Sequence, residues 1–236
     1  MSAGSQVGDV AVVIPARDEA DRIRATVAAA GGLAGVGLVV VVDDGSADRT
    51  GAIARDAGAV VVRHARNRGK AAAMQTGAGA VSLVDQRERR ERPRHLLFLD
   101  ADLAESAAQA GPLTDPVVAG GADMTIAVFS TTVKLGGHGL VVGLSGAGIR
   151  RAVGWRPVQP LNGQRCLTRA AFEAARPLAR GWGVETGLTI DLLRQGFRVT
   201  EVEVELAHRA TGTGLRAQLH RAHQLTDVAR ALAARP

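Results

Sequence analysis

Leu96-Leu97-Phe98-Leu99-Asp100-Ala101-Asp102 is the stretch that decides how the chain folds. Four apolar residues run straight into two acids spaced i, i+2, the pattern of a buried strand that ends in two carboxylates. In open α/β sheets, ligands bind outside the carboxyl ends of the strands. Two hard oxygen donors at such an end suit a divalent cation, Mg²⁺ or Mn²⁺. An ion held there would clamp a diphosphate.

Outward from that strand, the sequence alternates between strand and helix patterns. Residues 10–14 read as a short apolar strand stopped by Pro15. Residues 18–30 have helical spacing, with Ile23 and Val27 on one face, and end at Gly31-Gly32. Residues 38–42 are a second buried strand that runs into the turn Asp43-Asp44-Gly45-Ser46, after which Asp48 can cap a helix carrying Ile53 and Ala54. Residues 60–62 are a third strand, 69–84 a helix of small residues, and 96–99 the fourth strand. This spacing predicts βαβ units and a mainly parallel sheet. Further on, residues 123–129 read as a strand and 181–195 as a loop followed by a helix. Residues 199–206 alternate Val or Leu with Glu, as a half-exposed edge strand does. In residues 215–233, Leu215, Leu219, Leu225, Val228 and Leu232 recur at helical spacing, which predicts a helix packed on its own domain. The charged run 86–94 reads as a solvated, mobile surface loop, and 134–139 as a flexible loop.

The bulk composition narrows the function classes. The chain has 236 residues, enough for one large α/β domain, and its 46% hydrophobic content supplies a core built from Val, Leu, Ile and Ala, since aromatics are only 3%. The net charge of +6 comes almost wholly from arginine, because Lys70 and Lys134 are the only lysines. An isoelectric point near 11.0 raises nucleic acid as a partner. The arginines are scattered and stacking aromatics are scarce, which argues against nucleic acid, and an anionic small substrate explains the excess basic charge equally well. Cys166 is the only cysteine, so there is neither a disulfide framework nor a thiolate metal site. No apolar run has the length of a membrane span, and the first residues lack a signal-peptide pattern. A cytoplasmic protein is expected, with peripheral membrane contact through the last helix as the variant reading.

Four strand ends carry polar residues: Pro15-Ala16-Arg17-Asp18-Glu19, Asp43-Asp44-Gly45-Ser46, Arg66-Asn67-Arg68-Gly69-Lys70 and Asp100-Ala101-Asp102. Each alone has an ordinary explanation as a cap or a turn. Together on one edge of a parallel sheet they would form a single crevice, with carboxylates for base, ribose and metal and with lysine and arginine for phosphate.

In order and spacing, Pro-Ala-Arg-Asp-Glu, Val-Asp-Asp-Gly-Ser and Leu-Asp-Ala-Asp resemble the family 2 glycosyltransferases of GT-A fold. The resemblance implies a Rossmann-like nucleotide-binding sheet with a smaller acceptor-side region in a single domain, 8–103 forming the nucleotide-sugar half and 104–236 the acceptor half and last helix. It implies a nucleotide side lined by Pro15, Ala16, Arg17, Glu19, Asp44, Gly69, Lys70, Asp100, Ala101 and Gly163. Asp102 would be the main metal ligand, supported by Asp100. In the second half, Gln159-Pro160-Leu161-Asn162-Gly163, Gly181-Trp182-Gly183-Val184-Glu185-Thr186-Gly187 and Ala207-His208-Arg209 are similar in order to glucosyl-3-phosphoglycerate synthases. That likeness implies His208 as a third metal ligand, and a catalytic group of Glu185, Asp102 and Lys70. Asn162 stands where those synthases have glycine, and Gln164, Arg165 and Cys166 also depart from them.

The expectation is a Mg²⁺- or Mn²⁺-dependent transfer of sugar from a UDP-sugar, UDP-glucose or a relative, to a small or lipid-phosphate acceptor. No nucleic-acid partner is expected, and a homodimer is left open. The resemblance implies retention at the anomeric carbon, whereas Glu185 acting as a base would imply inversion. Polyprenyl-phosphate sugar transferases of the dolichol-phosphate mannose synthase type share the first half and are the alternative. A sugar-phosphate nucleotidyltransferase ranks lower, because it would need a Gly-rich loop after the first strand. A binding protein without turnover would not need the Asp100 and Asp102 pair.

Overall fold

A computed structural model describes residues 8–129, 139–206 and 215–235. A seven-stranded sheet forms its centre, in the order β3-β2-β1-β4-β6-β5-β7. The strands are β1 Val10–Ala16, β2 Val36–Asp43, β3 Val60–Arg63, β4 His95–Phe98, β5 Met124–Phe129, β6 Arg165–Leu167 and β7 Val199–Val204. All run parallel except β6, which is antiparallel to both β4 and β5. The amino end of β6 therefore arrives at the edge where the other strands end. The sheet is the mixed, mainly parallel α/β type expected for the GT-A fold.

The helices are α1 Ile23–Gly31, α2 Thr50–Asp56, α3 Lys70–Arg87, α4 Asp115–Val118, α5 Gly139–Val153, α6 Arg169–Ala174, α7 Val184–Arg194 and α8 Leu215–Ala233, with 3-10 turns at Ala104–Leu113 and Gly181–Gly183. They cover both faces of the sheet, which is why its central strands are apolar on successive residues. Val10, Val12, Ile14, Leu97 and Leu99 pack on the side of α1 and the first 3-10 turn. Ala11, Val13, Val40, Val42, Leu96 and Phe98 pack under α3, α6 and α7. The Phe98 and Phe172 rings lie 5.5 Å apart in that second layer. As expected, β7 is an edge strand. The last helix packs on its own domain: a Cβ on Gly148 of α5 would strike Leu232 of α8.

Several elements differ from the sequence reading. Pro15 lies within β1 and does not stop it. The Val13 carbonyl accepts from Leu99 N–H on one side and the Ala16 carbonyl accepts from Asp44 N–H on the other. Residues alternate between neighbours, so Pro15 faces the β4 side beyond Phe98, where no donor is needed. Helix α1 starts five residues later than expected. Asp18 is left-handed at φ 55°, and the N–H groups of Asp18, Glu19 and Ala20 donate to Ser46 Oγ, Thr50 Oγ1 and Asp48 Oδ2 rather than opening a helix. Run 86–94 is not a simple solvated loop: Arg94 is 4% exposed, paired with Asp85 and Glu88 and bonded to the Gly8 carbonyl. Matched partners on every side let that charge be buried. Helix α5 and strand β6 were not expected at all. Run 134–139 lies almost wholly outside the described residues.

Candidate functional site

Four loops meet at the carboxyl edge of the sheet, as the strand-end pattern predicts. At their centre is Lys70, the first residue of α3. Its Nζ lies 2.8 Å from Asp100 Oδ1, just past β4, and 3.1 Å from Glu185 Oε1, in the first turn of α7. Burial works against the ammonium charge, but the Asp100 and Glu185 carboxylates outweigh it and hold the lysine pKa above its usual value. Gly163, just before β6, closes over this group: a Cβ there would collide with Lys70 Nζ, so a larger residue would push the ammonium from its place between the two carboxylates.

Asp100 is held from beneath by Gln164. The Gln164 side-chain oxygen accepts from Asp100 N–H at 3.1 Å, and its Nε2 donates to Asp100 Oδ2 at 2.8 Å. Gln164 is fully buried, and its own N–H donates to Asn162 Oδ1. Two of the four residues that depart from the synthase pattern, Asn162 and Gln164, thus support the carboxylate in this chain.

Next to Asp100, the turn to Asp102 is fixed from α1. Buried Thr26 donates to the Ala101 carbonyl at 2.8 Å and accepts from Ala104 N–H at 2.8 Å, and Arg22 donates to the Asp102 carbonyl at 3.1 Å. Asp102 is half-buried. Two hard carboxylates at one strand end would suit a divalent cation, which prefers oxygen ligands. Among the described residues no three acids, imidazoles or thiols form a complete metal cluster. His208, expected as the third ligand, lies outside the described residues.

At the far end of the cleft, Asp44 is only 5% exposed. Its Oδ1 lies 2.6 Å from His64 Nδ1 and accepts from Arg68 N–H at 2.8 Å, while Oδ2 accepts from Gly69 N–H at 2.8 Å. Burial raises its pKa, but the His64 bond and the two backbone bonds more than offset this, and the net shift is downward. Ala16 is buried beside Asp44 and Pro15 half-buried, whereas Arg17 is exposed and pairs with Asp18 at 3.5 Å. Glu19 is anchored through its N–H to Thr50.

Sequence reasoning missed three residues here. His64 carries no usable pattern in the sequence, and Thr26 lies unmarked within the expected helix 18–30. Arg165 was noted only as a departure, yet it is 1% exposed. Its guanidinium donates to the carbonyls of Asn162, Pro160 and Glu185 and to Thr189 Oγ1. Burial pushes it down to about 10. The only available signal was the reverse strand β6, three residues long, which propensity cannot find. Cys166 is a buried small residue, its thiol pushed up by burial. Trp182 stays partly exposed on the turn ahead of α7.

Known proteins are similar to this chain. Glycosyltransferase AglJ of Haloferax volcanii is 28% identical over 76% of this chain and 57% of its own length. An uncharacterized protein of Methanocaldococcus jannaschii is 34% identical over 50% of this chain and 45% of its own. The chain spans about half the length of these relatives. Glucosyl-3-phosphoglycerate synthase from Mycobacterium tuberculosis, in complex with phosphoglyceric acid, superposes with a TM-score of 0.75 at 25% identity, over 96% of this chain and 79% of that one. The same synthase with Mg²⁺ and uridine diphosphate gives 0.75 at 23% identity, over 96% and 80%, a likeness of fold. The model of glycosyl transferase family 2 matches residues 11–136, more than half of the chain, and the chain belongs to that family.

Proposed function

We propose that this chain is a metal-dependent glycosyltransferase that moves a sugar from a UDP-sugar, UDP-glucose or a relative, to a small phosphorylated acceptor. One observation carries the reading: Lys70, Asp100 and Glu185 converge within 3.1 Å at the carboxyl edge of the sheet, beside Asp102. The synthase structures with UDP and Mg²⁺, and with phosphoglyceric acid, support the donor, the cation and the acceptor class.

In this reading, Asp100 and Asp102 hold the cation, with His208 as a third ligand. A cation held there would supply Lewis-acid chemistry towards the leaving diphosphate. Lys70 adds a second positive charge at the same end. Asp44, Gly69 and the Pro15–Ala16–Arg17 segment form the nucleoside end, and Gly163 leaves room for the Lys70 ammonium beside Asp100. The bond from the sugar C1 to the diphosphate oxygen breaks, a bond from C1 to the acceptor hydroxyl oxygen forms, and the hydroxyl proton is released. Glu185 is already engaged by Lys70, so it serves to hold the lysine and the sugar hydroxyls, which favours retention.

The test is calorimetric titration of UDP with and without Mn²⁺, alongside UDP release from UDP-glucose. Asp102→Ala should cost about tenfold or more of the Mn²⁺-dependent UDP affinity and leave melting unchanged. A mutant with the same Mn²⁺-dependent affinity as the parent would overturn the metal assignment. GDP binding in preference to UDP would overturn the donor.

A further inference from the structure

We propose that His64 is a positioning residue for the nucleotide end of the cleft, acting through Asp44 on the loop that delivers Lys70. This rests on the reading of Asp44 and that loop as part of the nucleotide site.

His64 follows β3 directly and is 6% exposed. Both ring nitrogens are engaged: Nδ1 lies 2.6 Å from Asp44 Oδ1, and Nε2 lies 2.9 Å from Thr76 Oγ1 on α3. Asp44 is held ionised by its bonds and an ionised carboxylate only accepts, so the Nδ1 proton belongs to the ring. Three donors therefore converge on one buried carboxylate: the imidazole, Arg68 N–H and Gly69 N–H. Lys70 is the next residue, and its ammonium reaches Asp100 and Glu185.

The same loop is backed closely by the turn after β2. A Cβ on Gly45 would lie 2.7 Å from the backbone of Arg66 and Asn67. The two turns thus pack backbone against backbone at this point. A residue needed only to fill this space would be apolar, because two bonded nitrogens in a buried site bring a desolvation cost. Taking away the Nδ1 donor leaves a buried carboxylate short of a charge-assisted bond. Asp44 then rotates to find another donor, and the two backbone N–H groups lose their shared acceptor.

Two substitutions separate this role from packing. In His64→Asn the side-chain amide nitrogen falls where Nδ1 sits. In His64→Gln it falls where Nε2 sits. UDP affinity with Mn²⁺ is measured by calorimetry, melting temperature by thermal unfolding, and KM and kcat with UDP-glucose. His64→Asn should stay within about threefold of the parent in UDP affinity, and His64→Gln should lose about tenfold or more, with similar drops in melting temperature. The loss should appear in KM. Thr76→Val removes the other partner and should leave UDP affinity within about threefold. Equal UDP affinities for the two His64 variants, or a loss in Thr76→Val as large as in His64→Gln, would overturn the proposal. Asp44→Asn is measured in parallel. If it binds UDP like the parent, the nucleotide-site reading fails along with the proposal. If it loses UDP while the two His64 variants match, only the role of His64 fails.

Discussion

Arg165→Met replaces a fully buried guanidinium with an apolar side chain of similar length. Four acceptors lose a donor: the carbonyls of Asn162, Pro160 and Glu185, and Thr189 Oγ1. Glu185 O keeps the Thr189 hydroxyl as a donor, so two to three acceptors are left short. At about 1–3 kcal/mol each, this costs about 5 kcal/mol. Against it stands the relief of a buried charge. Burial, partly offset by the Glu185 and Glu201 charges, pushes the guanidinium pKa down to about 10, a net penalty of about 3 kcal/mol. The net expectation is a destabilisation of about 2 kcal/mol at neutral pH.

The position of those acceptors ties stability to the site. Pro160 and Asn162 lie in the loop that leads to Gly163 and Gln164, and Glu185 opens α7. Losing their common clamp shifts Gly163 against Lys70 and Glu185 away from it. Urea unfolding measures the stability, and UDP-glucose turnover measures the site. A fall of about 2 kcal/mol with a drop of about tenfold or more in kcat/KM is expected. Unchanged stability would mean that water replaces the guanidinium. Lost stability with unchanged kcat/KM would mean that the clamp does not position the site. Either result refutes the reasoning.

Two further substitutions probe other parts of the argument. Gln164→Leu keeps the volume but removes both bonds to Asp100, so Mn²⁺-dependent UDP affinity should fall about fivefold or more with only a small change in melting temperature, as read by calorimetry and thermal unfolding. His95 has a buried Nδ1 with no hydrogen-bond partner among the described residues, and burial holds its pKa below 6.5. The unfolded chain therefore takes up the proton first, and stability should fall as pH drops below about 6.5. His95→Phe should remove that component when urea curves at pH 7.5 and 5.5 are compared.

What the sequence reveals follows from where each residue gets its surroundings. The carboxyl ends of β1 to β4 are legible because each strand is a continuous apolar run that stops at a polar turn, and the sheet's parallel order brings those turns together. Lys70, Asp44, Asp100 and Asp102 could thus be named from local pattern alone. Glu185 and His208 needed the family resemblance, because nothing local marks an acid in a helix's first turn or a histidine past a strand. The floor of the site was not legible. It is built where β6 runs backward between β4 and β5, three residues long, and so delivers Gly163, Gln164 and Arg165 to an edge otherwise made of strand ends. A buried arginine reads as a surface residue until the carbonyls that receive it are known, and the same holds for Arg94 between Asp85 and Glu88. His64 is hidden for a related reason: its partners are 20 residues upstream and 12 downstream, separations set by the packing of α3 on the sheet and by no periodicity. Most of the residues proposed to meet the nucleotide sit at strand ends, where a local pattern marks them, whereas the residues that hold them in place take their identity from contacts made only in the folded chain.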